Sequence, residues 1–256
     1  WAGYNDNIAQ VYGKRIWEDF TLNADAGIKH NTVYYYGFNK DTNYIPYGKD
    51  DLRQDFISMS ANASVESNHP FDSSKLYYKV NLGYDYITDH FTKGAYFKNF
   101  EHGTHANALL KKNVKGFYAS LYGGVDNYNR SSSMDTLTNT IVTLNPSVMK
   151  TGTDWKFKVG LKFMLNNLGP DKQYTSVYPD INFDFNAIQD VVRVYLGMDG
   201  GLQANSYAQL AKENPFVVPN MVLRNPHPKA TQGGLTYQKF NFYGGLKGSL
   251  SRAFEF

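Results

Sequence analysis

With 256 residues the chain is long enough for one large domain, and its net charge of +3, spread over scattered lysines, leaves no basic patch of the kind that binds nucleic acid. The absence of cysteine removes disulfides, thiolate metal sites and cysteine nucleophiles. A mean hydropathy of −0.50 and the lack of any apolar run of about 18 residues exclude a transmembrane helix, but not a membrane-spanning barrel, whose strands give only alternate residues to lipid.

Residues 1–10 carry no basic segment followed by an apolar one, so an exported chain would be in a mature or trimmed form. The first predicted strand lies within 17–36: Phe20, Leu22, Ala24, Ala26 and Ile28 alternate with Thr21, Asn23, Asp25 and Lys29. Residues 37–52 read as a polar, tyrosine-rich loop. A second strand, 54–66, sets Ile57, Met59, Ala61, Ala63 and Val65 against Ser58, Ser60, Asn62, Ser64 and Glu66. The Pro, Asn, Asp and Ser content of 67–75 marks a turn. A third strand, 75–88, sets Leu76, Tyr78, Val80, Leu82 and Tyr84 against Tyr77, Lys79, Asn81, Gly83 and Asp85.

After a loop at 89–104, a weakly patterned strand over 105–112 leads through a tight turn at Lys111-Lys112-Asn113 into a fifth, 114–128. In that strand Phe117, Ala119, Leu121 and Val125 oppose Tyr118, Ser120, Tyr122 and Asp126. A sixth strand at 136–148 has Pro146 against it, since proline cannot donate to a ladder. The clearest pattern is the seventh. Trp155, Phe157, Val159, Leu161, Phe163 and Leu165 alternate with Lys156, Lys158, Gly160, Lys162 and Met164.

The eighth strand, 174–187, carries Ile181, Phe183 and Phe185 opposite Asp180, Asp184 and Asn186. The ninth sets Val192, Val194, Leu196 and Met198 against Arg193, Tyr195 and Asp199. A long loop, 203–235, contains Ser206-Tyr207-Ala208-Gln209, a capping box that opens a short helix ended by Pro215. The tenth strand starts near 236, with Phe240, Phe242, Leu246 and Leu250 opposite Asn241, Tyr243, Lys247 and Ser249.

Alternation sustained over about 9–11 residues matches a tilted strand crossing a bilayer, whereas strands of soluble sandwiches usually run about 5–6. With 21 Tyr and 17 Phe to supply aromatic girdles, the pattern favours an all-β, antiparallel transmembrane β-barrel of about ten strands over a soluble sandwich or lipocalin-like barrel. Both termini would then lie on one side. Phe254-Glu255-Phe256 either ends the last strand of a complete barrel, or follows a turn at Leu250-Ser251-Arg252 and starts another strand, making the chain the N-terminal part of a larger barrel.

Residues 178–225, with Tyr178-Pro179-Asp180, Gly200-Gly201-Leu202, Asn205-Ser206 and Glu213-Asn214-Pro215-Phe216, resemble a stretch of outer-membrane barrel proteins of Bacteroides-type bacteria, described as TonB-dependent-receptor-like. The resemblance implies an outer-membrane location, a transport role and a chain longer than this one. It supplies no binding residues, and neither a plug domain nor a TonB box is visible in the sequence.

Candidate chemistry is sparse. His102 and His105 are three apart with only Glu101 beside them, too few ligands for a metal. Asp89-His90 offers an acid–histidine pair for a hydrolase, with no spaced partner to complete a catalytic set. Asp126-Asn127-Tyr128-Asn129 lacks the glycine and distal glutamate of a calcium loop, and the glycine pairs lack the Lys-Ser/Thr of a phosphate loop. No catalytic residue, metal or cofactor is expected. The expected partners are outer-membrane lipid and other outer-membrane or periplasmic proteins.

The alternation assigns Asp25, Glu66, Lys79, Asp85, Lys156, Lys158, Lys162, Asp180, Asp184, Arg193, Asp199 and Lys247 to the lumen, and Trp155, Phe157, Val159, Leu161 and Phe163 to lipid. Opposite charges on neighbouring strands are expected to pair. The reading is a channel or transport protein for an unidentified solute, against a non-transporting scaffold of a surface complex and an outer-membrane hydrolase. Loops 37–52 and 203–235 are expected outside the cell, and the turn at 67–74 in the periplasm.

Overall fold

A computed structural model describes residues 4–34, 53–70, 72–91, 99–132, 136–168, 173–188, 191–214, 235–251 and 254–255. The period-two segments become strands β1 (Tyr4–Ile16), β2 (Phe20–Tyr34), β3 (Arg53–Ser67), β4 (Tyr77–Phe91), β5 (Asn99–Val114), β6 (Phe117–Ser132), β7 (Thr136–Thr151), β8 (Trp155–Leu168), β9 (Gln173–Ile188), β10 (Val192–Ala204), β11 (Leu235–Ser251) and the short β12 (Phe254–Glu255). One helix, α1 (Tyr207–Glu213), lies between β10 and β11. All twelve strands form one antiparallel sheet in which each pairs only with its neighbours in sequence, the up-and-down wall of a β-barrel. Among the described residues no pairing joins β1 to β12, so the wall has two edges.

The register gives the sheet two chemically distinct faces. Ile28, Met59, Leu82, Leu121, Leu144, Leu161, Val177, Leu196 and Phe242 point to one face and are exposed there. A soluble protein rarely leaves so continuous an apolar surface open. At the end of the sheet that carries the tight turns this face gathers aromatics: Trp17 stacks on Phe20 at 4.6 Å, Lys150 lies 4.8 Å over Phe117, and Phe157, Phe183 and Phe185 form a ring cluster.

Turn chemistry explains the hairpins. β5 runs past Lys111-Lys112-Asn113, and the turn lies instead at Lys115 (φ 52°) and Gly116 (φ 83°). Two successive positive φ angles match the twist of the flanking strands, and the Asn113 side chain accepts from the Gly116 amide at 3.1 Å. Between β1 and β2, Asn68 donates from its side chain to the Trp17 carbonyl at 2.6 Å, and Asp19 accepts from His69 (3.3 Å) and Lys75 (3.4 Å).

Those hydrogen bonds, His69 first and Lys75 next, hold the Asp19 carboxyl below the usual carboxylate range. A lowered folded-state pKa contributes stability above the unfolded value of about 3.9, and that contribution is lost as pH falls through the folded value. The advantage of the native protein over Asp19→Asn is therefore expected at neutral pH and absent at about pH 2. Thermal unfolding at both pH values checks it; a pH-independent difference would contradict it.

Three differences from the sequence reading have physical reasons. β1 was not anticipated, because neither face of Tyr4–Ile16 is uniformly apolar: Tyr4, Ile8 and Tyr12 share a face with Asp6, Gln10 and Lys14. The doubtful sixth strand is the full-length β7. Pro146 pairs with Leu121 of β6, while towards β8 the ladder passes from Leu144↔Phe163 to Ser147↔Gly160, so the missing amide falls in the gap. At the C-terminus β11 runs on to Ser251, through the expected turn at Leu250-Ser251-Arg252, and β12 pairs back onto it through Ser249↔Glu255 and Ser251↔Phe254. Loop 37–52 and residues 215–234 of the long loop lie outside the described residues.

Candidate functional site

The second face of the sheet collects the polar residues. By register Asp25 lies beside Asn62, Glu66 beside Lys79, Asp85 beside Gly103, Lys156 beside Asp184, Asp180 beside Gly160, Arg193 beside Lys247 and Asp199 beside Asn241; Lys158 and Lys162 follow in phase along β8. All twelve charged positions assigned to one side by alternation thus share this polar face, opposite Trp155, Phe157, Val159, Leu161 and Phe163.

Most of these charges meet a partner. Lys79 pairs with Glu66 at 2.9 Å, Lys158 with Asp180 at 2.7 Å and Arg193 with Asp184 at 3.4 Å. The Asn62 side chain donates to Asp25 at 2.9 Å, and that of Asn145 to Asp180 at 2.6 Å. His105 bridges Asp85 (3.3 Å) and Asp126 (2.8 Å). Water-exposed pairs of this kind are worth about 0–1 kcal/mol each, so they neutralise the face more than they hold it together.

Lys162 has a structural partner. The β10–β11 register shifts between Asp199 and Gly201, and the ammonium of Lys162 donates to the bypassed Gly200 carbonyl at 2.8 Å. The bulge reverses the phase of β10 and turns Leu202 and Ala204 onto the polar face. There they pack with Ile141, Met164, Tyr178 and Leu235 in a buried cluster at the long-loop end. A Cβ at Gly200 would come within 2.7 Å of the Tyr178 ring and of the Lys239 carbonyl, so the bulge needs glycine.

α1 folds onto the same face. Ser206 caps it, its side-chain oxygen accepting from the Gln209 amide at 3.1 Å, as the Ser-x-x-Gln spacing predicts. The Tyr207 and Ala208 amides donate to the two carboxylate oxygens of Glu101 at 2.7 and 3.1 Å. The Tyr207 hydroxyl donates to Asp89 at 2.7 Å, and Arg130 lies 4.8 Å from its ring centre. Asp89 also accepts from Gln54 (3.3 Å) and from the Asn99 amide (2.9 Å). Tyr207, fully buried, and Ala211 pack on Val33, Phe56 and Ile87. A cleft of about 650 Å³ opens beside the helix, between Ala208 and Lys212 on one side and Gln10, Asn31, Ser58 and Ser60 on the other.

This cradle was not foreseen. Asp89 and Glu101 were considered only as neighbours of histidines, but alternation places His90 and His102 on the opposite face from Asp89 and Glu101. The Asp89–His90 pair is thereby split, and so are His102 and His105. Asp126-Asn127-Tyr128-Asn129, weighed above as a calcium loop, lies within β6. Running the alternation of β5 back from His105 to Asn99 would have put Glu101 on the polar face.

No protein-family model matches the chain, and no curated protein is similar to it in sequence. Solved structures do match in fold. Over 96% of this chain, and 45% of the other, it is similar to BauA, the ferric preacinetobactin receptor of Acinetobacter baumannii, with a TM-score of 0.60 at 13% identity. FpvAI in its complex with pyocin S2 gives 0.58 at 11% identity, over 97% of this chain and 39% of the other. FpvA of P. aeruginosa bound to a heterologous pyoverdine gives 0.57 at 10%, over 97% and 40%. The chain spans less than half the length of each of these structures. At such identities the likeness concerns fold alone, and that fold is an antiparallel transmembrane β-barrel whose neighbours are outer-membrane receptors.

Proposed function

We propose that the chain is a single-domain section of an outer-membrane transport barrel, with its polar face lining the path of a solute and its apolar face meeting lipid. The observation that carries this reading is that all twelve charged positions assigned by alternation share the face opposite the exposed apolar one. The aromatic cluster at the tight-turn end is placed as a membrane-interface girdle would be, and the proposal sets these short turns on the periplasmic side, because barrels of this class have short inner turns and long outer loops. The TonB-dependent-receptor-like affiliation read from 178–225 belongs to the same proposal, supported in fold by the receptors the chain resembles, while its Bacteroides-type origin rests on the sequence resemblance alone. No catalytic role is assigned.

Twelve strands that cover less than half of each receptor suit a segment of a larger barrel, of about 22 strands. The paired charges then predict little net preference for anions or cations. In planar bilayers the 256-residue chain alone is expected to conduct weakly, and the longer parent to show weak ion selectivity. A large, strongly anion-selective conductance from this chain alone would contradict the reading. A second reading, a surface receptor for a protein partner, draws on the pyocin-bound neighbour; it gains if the parent binds a protein ligand and passes no solute.

A further inference from the structure

We infer that Glu101 and Tyr207 are positioning residues that set the size of solute the polar face admits, by holding α1 as one wall of the cleft. The inference rests on the transport reading above and goes beyond it.

A helix of seven residues has almost no stability of its own, so its place depends on what docks it. Two kinds of anchor do so, on different strands. The first is polar: Glu101 of β5 takes the first two helix amides, Ser206 takes the third, and the Leu210 amide closes onto the Ser206 carbonyl at 3.1 Å. Every amide donor of the first turn is thereby satisfied inside the wall, where an unmet one would be costly. The second anchor is Tyr207, with 0% exposure, whose ring fills the Val33–Phe56–Ile87 patch and whose hydroxyl reaches Asp89.

The helix bounds the cleft through Ser206, Ala208, Ala211 and Lys212, facing Gln10, Ser58 and Ser60. The aperture is therefore the gap between a clamped helix and the strands of β1–β3. Glu101 borders the cleft, but both of its carboxylate oxygens are taken up by the helix amides, and Tyr207 is fully buried beneath the helix, so both act through the position of α1.

Since the chain has no cysteine, Ser60→Cys creates a single thiol inside the cleft. The full chain carrying Ser60→Cys, reconstituted in phosphatidylcholine vesicles, is exposed to maleimide-polyethylene glycols of increasing mass. With the clamp intact, small reagents are expected to label and large ones to be excluded. Adding Glu101→Ala or Tyr207→Phe is expected to move the cut-off to larger polymers, with Glu101→Gln, which keeps one acceptor oxygen, in between. Hydrogen exchange should show the Tyr207 and Ala208 amides at least about tenfold less protected in Glu101→Ala. Tyr207→Phe, the milder change, carries the test if Glu101→Ala does not fold. An unchanged cut-off in folded variants, or unchanged amide protection in Glu101→Ala, would overturn the inference. A shifted cut-off in a protein whose parent passes no solute would uphold the clamp and count against transport instead.

Discussion

Arginine in place of Leu161 is expected to cost about 2–4 kcal/mol of folding stability in a bilayer, because it places a charge near the midplane on the lipid side of the barrel. Leu161 stands midway along Trp155–Leu168 and is half exposed on the apolar face, with Val159 and Phe163 exposed on either side of it. Arginine at Lys158, on the other face of the same strand, keeps Asp180 as its partner and should cost less than about 1 kcal/mol. Urea titration of the two variants folded into vesicles separates these outcomes. Equal costs would mean that the two faces of β8 are not in different media.

Valine in place of Gly160, the neighbouring residue, is expected to destabilise by about 1–3 kcal/mol for a different reason. Strand propensity alone would favour valine, on a scale that spans about 1 kcal/mol. Sterics oppose it: a Cβ at Gly160 would stand 2.7 Å from the Ser147 Cβ and 2.9 Å from the Pro146 carbonyl oxygen, which are strand and backbone atoms that cannot swing away. Asn145, whose side-chain oxygen would be 3.1 Å from that Cβ, also donates to Asp180, so the displacement would loosen the Lys158–Asp180–Asn145 set. Alanine carries the same Cβ and should also destabilise. A neutral or stabilising Gly160→Ala, by urea titration, would show that β7 can relax at its proline.

How far the fold could be read from the residues depended on how clean each strand's alternation is. Along β8 large apolar groups occupy every second position from Trp155 to Leu165, with three lysines between them, so both faces were legible. Along β1 tyrosine, isoleucine, aspartate and lysine share one face, and a ladder edge has no further partner to enforce a pattern, so the strand was invisible. β7 was doubted because a single proline is judged locally, whereas its tolerance depends on which neighbour its missing amide would have met. The ion pairs of the polar face were foreseeable in kind, since alternation sets the face and opposite charges recur on adjacent strands. The cradle of α1 was not. It joins Gln54, Asp89, Glu101 and Arg130 from four strands to a tyrosine more than a hundred positions after Glu101, and no local period carries that information.

Spin labels placed one at a time from 155 to 163, in protein reconstituted into vesicles, test the orientation of the wall most directly. Positions 155, 157, 159, 161 and 163 are expected to relax with oxygen dissolved in lipid, and 156, 158 and 162 with a water-soluble nickel reagent, as the exposure along β8 alternates; Gly160, which has no room for a label, is left unlabelled. Lipid contact at the even positions, or no alternation at all, would contradict a barrel wall whose polar face looks into a lumen.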